Sequence, residues 1–423
     1  MNNVSAHRAF SFLRTYGYER VSCSKEERTV AEALLNECTS LGVSAQLEEF
    51  TVPCGRVSHA LLRVTSPYVK EYEVTGYERA ASTPEGGLDA EFLYVENADE
   101  VLLEQAKGKI VLVNGYLNRA MYEKLRKAEV SAVLTFTGRT IDRENESDLN
   151  RCKLRETLTE PFGAIPVLNM RAASAAEIVR RGAKTVHIEL TGECYDGTSQ
   201  NVCATIPGTD KSSEVITLGG HYDSVYFSSG VHDNLSGSVI VLELLRYFAA
   251  HPPRRTLRFC WFGSEEQGLL GSKAYVKAHA DELKDCVAML NFDVAAPTLG
   301  SNHLVTLATD DALHYVTGVL REAGYGVRAR QDTYSSDCIP FADNGVPAIN
   351  LARFGANGAD YMHDRHDSLK SGYLDEHALD ITLQQGFVLL DRLANAASFP
   401  IKREITPEIR QKVDEYLFKA KKE

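Results

Sequence analysis

Histidine and carboxylate residues recur in five short blocks in the second half of the chain, and together they could bind metal ions. The blocks contain the following candidates: His221 and Asp223, His232 and Asp233, Glu265 and Glu266, Asp293, and His363 with His366. Two histidines, three carboxylates and one spare glutamate are enough to bind two metal ions through a shared ligand and to supply a general base. The sequence therefore predicts a metal-assisted hydrolase.

Most of these candidates stand where a predicted strand ends. His221, Asp233, the pair Glu265-Glu266 and Asp293 each lie at or just past the carboxyl end of an apolar run. Open α/β sheets bind their ligands at that edge, where loops are held by a rigid scaffold. We therefore expect these side chains to converge on one site.

The first two blocks each have a metal interpretation and a plainer one. Asp223 could accept the second N–H of a metal-bound His221, or it could form an Asx turn at a polar strand end. Asp233 could bridge two ions through its two oxygens, or it could cap the helix that follows. His232 is expected beside the ligands or facing solvent, because adjacent residues rarely aim at the same point.

The adjacent glutamates indicate a metal site more specifically than the first two blocks do. One of Glu265 and Glu266 could bind metal while the other takes a proton from the attacking water, and partial burial would raise its pKa toward neutrality. The alternative is the solvated start of a helix. Asp293 directly follows an apolar strand, so it must be paired or bound to metal. Chemistry alone does not decide between His363 and His366.

The composition of the chain argues against several classes of protein. The chain has 423 residues, 44% of them hydrophobic, and a formal net charge of -12, which argues against a nucleic-acid partner or an anionic membrane surface. No apolar stretch is long enough to span a membrane, and the N-terminus lacks a signal-peptide pattern. Nine scattered cysteines without a CxxC pair indicate a reducing compartment. We therefore predict a cytoplasmic protein.

The pattern of elements predicts two domains. Residues 1–52 contain two helices and a strand, and 194–423 alternate strands with helices, including helices at about 235–250, 268–281 and 375–397. This alternation predicts an α/β fold with a mixed, mostly parallel sheet covered by helices on both faces. Residues 53–193 form an inserted β-rich module with a charged loop at 139–156. A last helix carries Ile409, Val413 and Leu417, either docked on its own domain or contacting another subunit in a homo-oligomer.

The five blocks carry a family resemblance. In order along the chain they read GGHYDS, HDNLSG, SEEQGLLGS, NFD and HDRHDS. This series resembles the M28 family of dinuclear zinc metallopeptidases, which implies a zinc-exopeptidase fold for 1–52 and 194–423. The inserted residues 53–193, with KGKIVLVNG, AVLTFTG and IPVLNM, are similar to a protease-associated (PA) domain.

The resemblance implies a role for each matching residue. The implied metal ligands are His221 and Asp293 for one zinc ion, Glu266 and His363 for the other, and Asp233 as the bridge between them. Glu265 becomes the general base and Asp223 the carboxylate that orients His221. The last block of the family fits His363 better than His366, and the peptide bond after the bridging aspartate is often cis. Cobalt or manganese could occupy the same ligands as zinc.

Two departures from the family concern the contacts to substrate. Some members have a tyrosine directly before the last histidine, but this chain has Met362 there and Tyr361 one position earlier. The segment Ser335–Cys338 resembles a Ser-Asp-His element in which Cys338 replaces the histidine. Tyr361 and Asp337 are therefore predicted substrate-binding residues, and Arg353, which follows the strand VPAINLA, is the third.

The predicted function is hydrolysis of the N-terminal peptide bond of peptides by a water activated between two zinc ions. The main alternative is a carboxypeptidase or dipeptidase on the same fold, which would need Arg353 or Arg365 for the terminal carboxylate of the substrate. A glutaminyl cyclase of the same superfamily uses one zinc ion, whereas this chain has five ligands. A non-catalytic binding protein would be expected to have lost ligands.

Overall fold

The computed structural model of the protein describes residues 4–142 and 149–419. The predicted charged loop at 139–156 therefore lies partly outside the described residues. The chain divides into two compact units, one formed by Met1–Val52 with Thr198–Glu423 and the other by Pro53–Gly197. We call these the main unit and the inserted unit.

The elements are numbered in chain order over both units. The helices are α1 (Ala6–Tyr16), α2 (Lys25–Ser40), α3 (Glu100–Leu103), α4 (Arg119–Lys127), α5 (Glu156–Phe162), α6 (Ala172–Arg180), α7 (Ser236–Ala250), α8 (Leu270–Ala278), α9 (Asp310–Glu322), α10 (Cys338–Asp343), α11 (Glu376–Asn395) and α12 (Pro407–Tyr416). The strands are β1 (Ser44–Ser66), β2 (Lys70–Tyr72), β3 (Val74–Gly76), β4 (Leu88–Tyr94), β5 (Ile110–Leu112), β6 (Ala132–Thr137), β7 (Val167–Arg171), β8 (Thr185–Ile206), β9 (Lys211–His221), β10 (Arg255–Phe262), β11 (Cys286–Phe292), β12 (Gly300–Leu307), β13 (Arg328–Gln331) and β14 (Ala348–Gly355).

The sheet of the main unit has a parallel centre. The order of its strands is β13-β12-β14-β11-β9-β10-β8. The strands β14, β11, β9 and β10 run parallel to one another, whereas β8 is antiparallel to β10 and β12 is antiparallel to β14. Helices link the parallel strands because a parallel pair needs a crossover connection.

Both faces of this sheet are buried under helices. Alternate residues of β10 point to opposite faces, as the two-residue period of a strand requires. Phe259 and Trp261 join the core packed against α1, α2, α7, α9 and α11, while Cys260 and Phe262 join the core with α8, α10 and α12. The predicted α/β fold with a mixed, mostly parallel sheet is thereby confirmed.

Two of the three predicted helices agree with the structure to within two residues at each end, and they are α7 and α11. The third, predicted at 268–281, is shorter at both ends. Leu269 has a left-handed φ of 61°, so α8 can begin only at Leu270. The helix ends at Ala278, because the next residue, His279, has a non-helical backbone. The imidazole Nε2 of His279 lies 3.0 Å from Glu48 Oε2.

The inserted unit has its own sheet and cores. Strands β4, β5, β6 and β7 are parallel, β3 is antiparallel to β7, and part of β8 is antiparallel to β4. Helices α3, α4 and α5 contribute to one core and α6 to another. The unit is therefore a small α/β sheet, and its resemblance to a PA domain stays a prediction.

The C-terminal helix α12 docks on the main unit. Ile409 and Val413 are buried in the same core as α8 and α10. Among the described residues, no helix is long and apolar enough to cross a membrane. All nine cysteines lie in the described part of the chain, and none of them forms a disulfide.

Candidate metal centre

Three neighbouring parallel strands deliver the candidate residues to one edge. His221 is the last residue of β9, Asp293 directly follows β11, and Glu265 and Glu266 follow β10 by a few residues. Because β9 pairs with β10 on one side and β11 on the other, their carboxyl ends meet at the same edge. Asp233 joins them from the turn that precedes α7.

The side chains form two groups that share Asp233. In the first group, His221 Nε2 lies 3.1 Å from Asp233 Oδ1 and 3.7 Å from Asp293 Oδ1. In the second, His363 Nε2 lies 3.1 Å from Asp233 Oδ2 and 3.0 Å from Glu266 Oε2. Each oxygen of Asp233 therefore faces a different histidine, as a bridging carboxylate requires.

The donor set fits zinc. Within each group the ligand atoms lie within 4.8 Å of one another, and imidazole nitrogen with carboxylate oxygen is a common zinc environment. Burial raises the pKa of Asp293 and of Glu266, and the Asp233 charge raises both further. A cation between these carboxylates would remove that repulsion, which is why crowded buried carboxylates favour a metal.

Glu265 lies beside the groups but belongs to neither. Its Oε2 is 3.8 Å from His221 Nε2. Burial raises the pKa of Glu265 well above its usual range, and His221 lowers it only in part. A carboxyl group with a raised pKa next to the ligands is suited to exchange protons with a bound water.

Asp223 connects the first histidine to the glutamate pair. Its Oδ1 lies 3.3 Å from His221 Nδ1 and accepts the backbone N–H of Glu265 at 3.0 Å, while Oδ2 accepts that of Glu266 at 3.2 Å. Asp223 has no exposed surface. One carboxylate thus fixes both the imidazole and the backbone that carries the two glutamates.

Glu27 supports the same loop and was missed by the sequence analysis. From α2, its Oε1 accepts the N–H of Ser264 at 3.2 Å and the hydroxyl of Ser199 at 2.8 Å, and its Oε2 accepts the N–H of Cys23 at 2.7 Å. Its position in the first turn of a helix indicates only a favourable helix start. Its supporting role is visible only in the fold, because Ser199 and Ser264 are distant from it in sequence.

The backbone at the ligand segments is strained. Ser264, Val294 and His363 are not glycine, yet their φ angles are 54°, 64° and 58°. Such conformations persist where the surrounding structure holds them, and they cluster at functional sites. The Asp233-Asn234 peptide bond is cis, as the family resemblance implies.

The structure separates the two candidate histidines of the last block and buries His232. His363 enters the second ligand group, whereas His366 is exposed and its Nδ1 contacts Asp364 Oδ1 at 2.5 Å. His232 is fully buried, with Nδ1 2.7 Å from Ala295 O, so the solvent-facing alternative for it is wrong.

The predicted substrate-binding residues take different positions. Arg353 is buried and donates to Pro297 O, Thr298 O and Asn302 Oδ1 at 3.0 to 3.3 Å, which occupies its guanidinium with protein groups. Asp337 is fully buried, so it offers no surface to a substrate. Tyr361 is half-buried and its hydroxyl donates to Gly358 O at 2.9 Å. Cys338 is buried against Met289 Sδ at 3.8 Å.

Tyr334 is a further group that the sequence analysis did not single out. Its ring packs edge-on against Phe354, with the ring centroids 5.6 Å apart. Burial, together with the charges of Asp293, Asp233 and Glu265, raises its pKa far above the usual tyrosine range. The phenol therefore stays protonated and can donate a hydrogen bond in the field of the ligand carboxylates.

Comparisons with known proteins agree with this arrangement. Residues 201–384 match the model of peptidase family M28. Aminopeptidase YwaD of Bacillus subtilis (strain 168) is 27% identical over 342 residues, covering 78% of this chain and 71% of that protein. Carboxypeptidase Q of Mus musculus is 26% identical over 291 residues, covering 66% of this chain and 62% of that protein. The structure of BSAP, a zinc aminopeptidase from Bacillus subtilis, has a TM-score of 0.78 at 21% identity, covering 97% of this chain and 100% of that chain.

A mixed sheet with paired histidine and carboxylate groups at its carboxyl edge defines a metal-dependent hydrolase. The family match covers all five blocks in full, since it runs from Asn201 to beyond Ser368. The match of residues 201–384 to the model of peptidase family M28 agrees with the resemblance that the five blocks predict.

Proposed function

We propose that this protein is an aminopeptidase that removes residues from the N-terminus of peptides with two zinc ions. The observation that carries the proposal is the pair of ligand groups joined by Asp233, with Glu265 buried beside them. His221 and Asp293 would hold one ion, and Glu266 and His363 the other. Cobalt and manganese fit the same donor set.

The residues divide the chemistry among them. Bound zinc supplies a water of near-neutral pKa and a Lewis acid for the peptide carbonyl. The Glu265 carboxylate takes a proton from the attacking water and returns it to the leaving amine. Asp223 keeps the Glu265 backbone and the His221 ring in place, since it contacts both.

A carboxypeptidase is the second candidate, because one relative is named Carboxypeptidase Q. Such an enzyme needs a cation for the terminal carboxylate of its substrate. Arg353 has its guanidinium committed to two carbonyls and one amide oxygen, so it does not offer that cation. This contact set favours the aminopeptidase, and Arg365 is the residue that the alternative would then require.

Mass spectrometry of matched peptides tests the direction of cleavage. Each peptide is supplied free, N-acetylated and C-amidated, and is incubated with the zinc-loaded protein, with chelated protein, and with the Glu265→Gln variant. We expect stepwise loss from free N-termini that is blocked by acetylation, is indifferent to amidation, and disappears with chelator and in the variant. Loss from C-termini that amidation blocks would replace the aminopeptidase by the carboxypeptidase.

A further inference from the structure

Asp367 connects the two ligand segments of the centre. It lies four residues after His363 and is fully buried. Its Oδ1 accepts the backbone N–H of His232 at 2.7 Å, and its Oδ2 accepts that of Asp233 at 3.0 Å. The hydroxyl of Tyr373 donates to Oδ1 at 3.3 Å. A single carboxylate thus fixes the backbone of the shared ligand from the segment that carries the second histidine.

Arg20 holds the same loop from its other end. This arginine precedes α2 and is fully buried. Its guanidinium donates to Ser229 O at 2.7 Å, Gly230 O at 2.8 Å and Tyr222 O at 2.7 Å. Carbonyls just before Asp233 are therefore fixed by a cation, while the amides that follow are fixed by an anion.

This arrangement parallels that of Asp223, which accepts the amides of Glu265 and Glu266. In both places a buried carboxylate binds two successive N–H groups of a segment that bears metal ligands. Hydrogen bonds to a charged acceptor are stronger than neutral ones, and leaving a buried amide unpaired is unfavourable. The loop around Asp233 therefore has one well-defined position.

We propose that Asp367 and Arg20 are positioning residues that set the Asp233 carboxylate between the two histidines. The inference rests on the proposed function, because it assigns these contacts a purpose in metal binding. Removing partners that orient a metal ligand commonly lowers metal affinity or activity by about 10- to 100-fold. A purely structural role would lower stability and leave metal affinity unchanged.

Asp367→Asn tests the proposal with Glu243→Gln as its matched control. Asparagine keeps one acceptor oxygen and loses the other together with the charge. Glu243 is also fully buried in the main unit and accepts a backbone amide, that of Ser5 at 3.0 Å, but its other contacts are Arg8 and Arg246. Zinc affinity is measured by competition with a chromophoric chelator. The Tm is measured on the metal-free proteins, and kcat and KM are measured with the best peptide.

We expect Asp367→Asn to lose about 10- to 100-fold in zinc affinity, with kcat restored by added zinc and KM unchanged. Glu243→Gln should lower Tm without changing zinc affinity. Wild-type zinc affinity in Asp367→Asn, or an equal loss in Glu243→Gln, would overturn the inference. If Asp367→Asn does not fold, Arg20→Lys replaces it, because lysine keeps the charge but cannot reach the three carbonyls. A wild-type protein that binds no zinc would instead reject the proposed function.

Discussion

The two ligand groups of the centre share Asp233 but are built differently. His221 ends a central strand, and its side chain is 2% exposed. His363 lies in the connection between β14 and α11, its side chain is 50% exposed, and its φ is positive. One metal position is therefore part of the sheet, whereas the other is completed by a loop.

This difference indicates how the centre is assembled. Pairing of β9 with β11 brings His221 beside Asp293, and Asp233 completes the first group from the turn that precedes α7. The second group also needs the loop around His363 to adopt a strained conformation, and the Asp367 carboxylate ties that loop to Asp233. The second position should therefore respond more strongly to changes in its loop.

The largest effect is expected at Glu265, the proposed general base beside both ligand groups. Glu265→Gln should lower kcat by about 10²- to 10⁴-fold, because glutamine cannot take the proton from the water. Zinc content should stay at the wild-type value, since Glu265 lies in neither ligand group. Elemental analysis and steady-state kinetics on the same preparation check this. A kcat near that of the wild type would remove Glu265 as the base.

The two histidines should contribute differently to the stability of the metal-free protein. His221→Ala should destabilise the metal-free protein by about 3 kcal/mol, because it leaves buried carboxylates without their cationic partner. His363→Ala should destabilise the metal-free protein by less, since the imidazole is half-exposed and water can take its place beside Asp233 and Glu266. Each variant should lose the zinc ion of its own ligand group. Urea unfolding of the two metal-free variants measures the contrast, and equal losses of stability would contradict it.

Removal of metal should also distinguish the positions. We expect one zinc equivalent to leave on dilution into chelator about tenfold faster than the other, because an open loop position exposes its ion to attack. Stopped-flow measurement of released zinc gives the two rates. The His363→Ala variant, loaded with one equivalent, serves as the control and should show only the slow phase. A single rate for both equivalents in the wild type would show that the two positions are equally enclosed.

The smallest effect concerns the support beneath the glutamate pair. Burial raises the pKa of Glu27 to about 8, from 4.5. The folded protein therefore binds this proton more tightly than the unfolded chain does. The stabilisation of the folded protein by the protonated Glu27 carboxyl is complete below pH 4.5 and is lost as the pH rises to about 8.

Glu27→Gln should therefore flatten the decline in the free energy of unfolding between pH 5 and 8. The exposed neighbour provides the control, and Glu26→Gln should keep the wild-type slope. Urea unfolding of the metal-free proteins across this range makes the measurement. A Glu27→Gln slope equal to that of the wild type would show that Glu27 binds no extra proton on folding.

The sequence by itself determined the chemistry and the class of fold. Strand-helix alternation predicts the α/β sheet, and carboxylates and a histidine directly after apolar runs predict a site at its carboxyl edge. These features could be predicted because each depends on neighbours within a few residues. The resemblance to peptidase family M28 follows from the order of the five blocks, and residues 201–384 match the model of that family.

The tertiary structure decided which residues support those ligands. Asp367 contacts a loop that lies more than a hundred residues earlier in the chain, and Glu27 contacts one that lies more than two hundred residues later. No periodicity or spacing records such contacts, since they form only when distant segments pack together. The same holds for Arg353, whose guanidinium looks free in the sequence and is occupied by carbonyls in the fold.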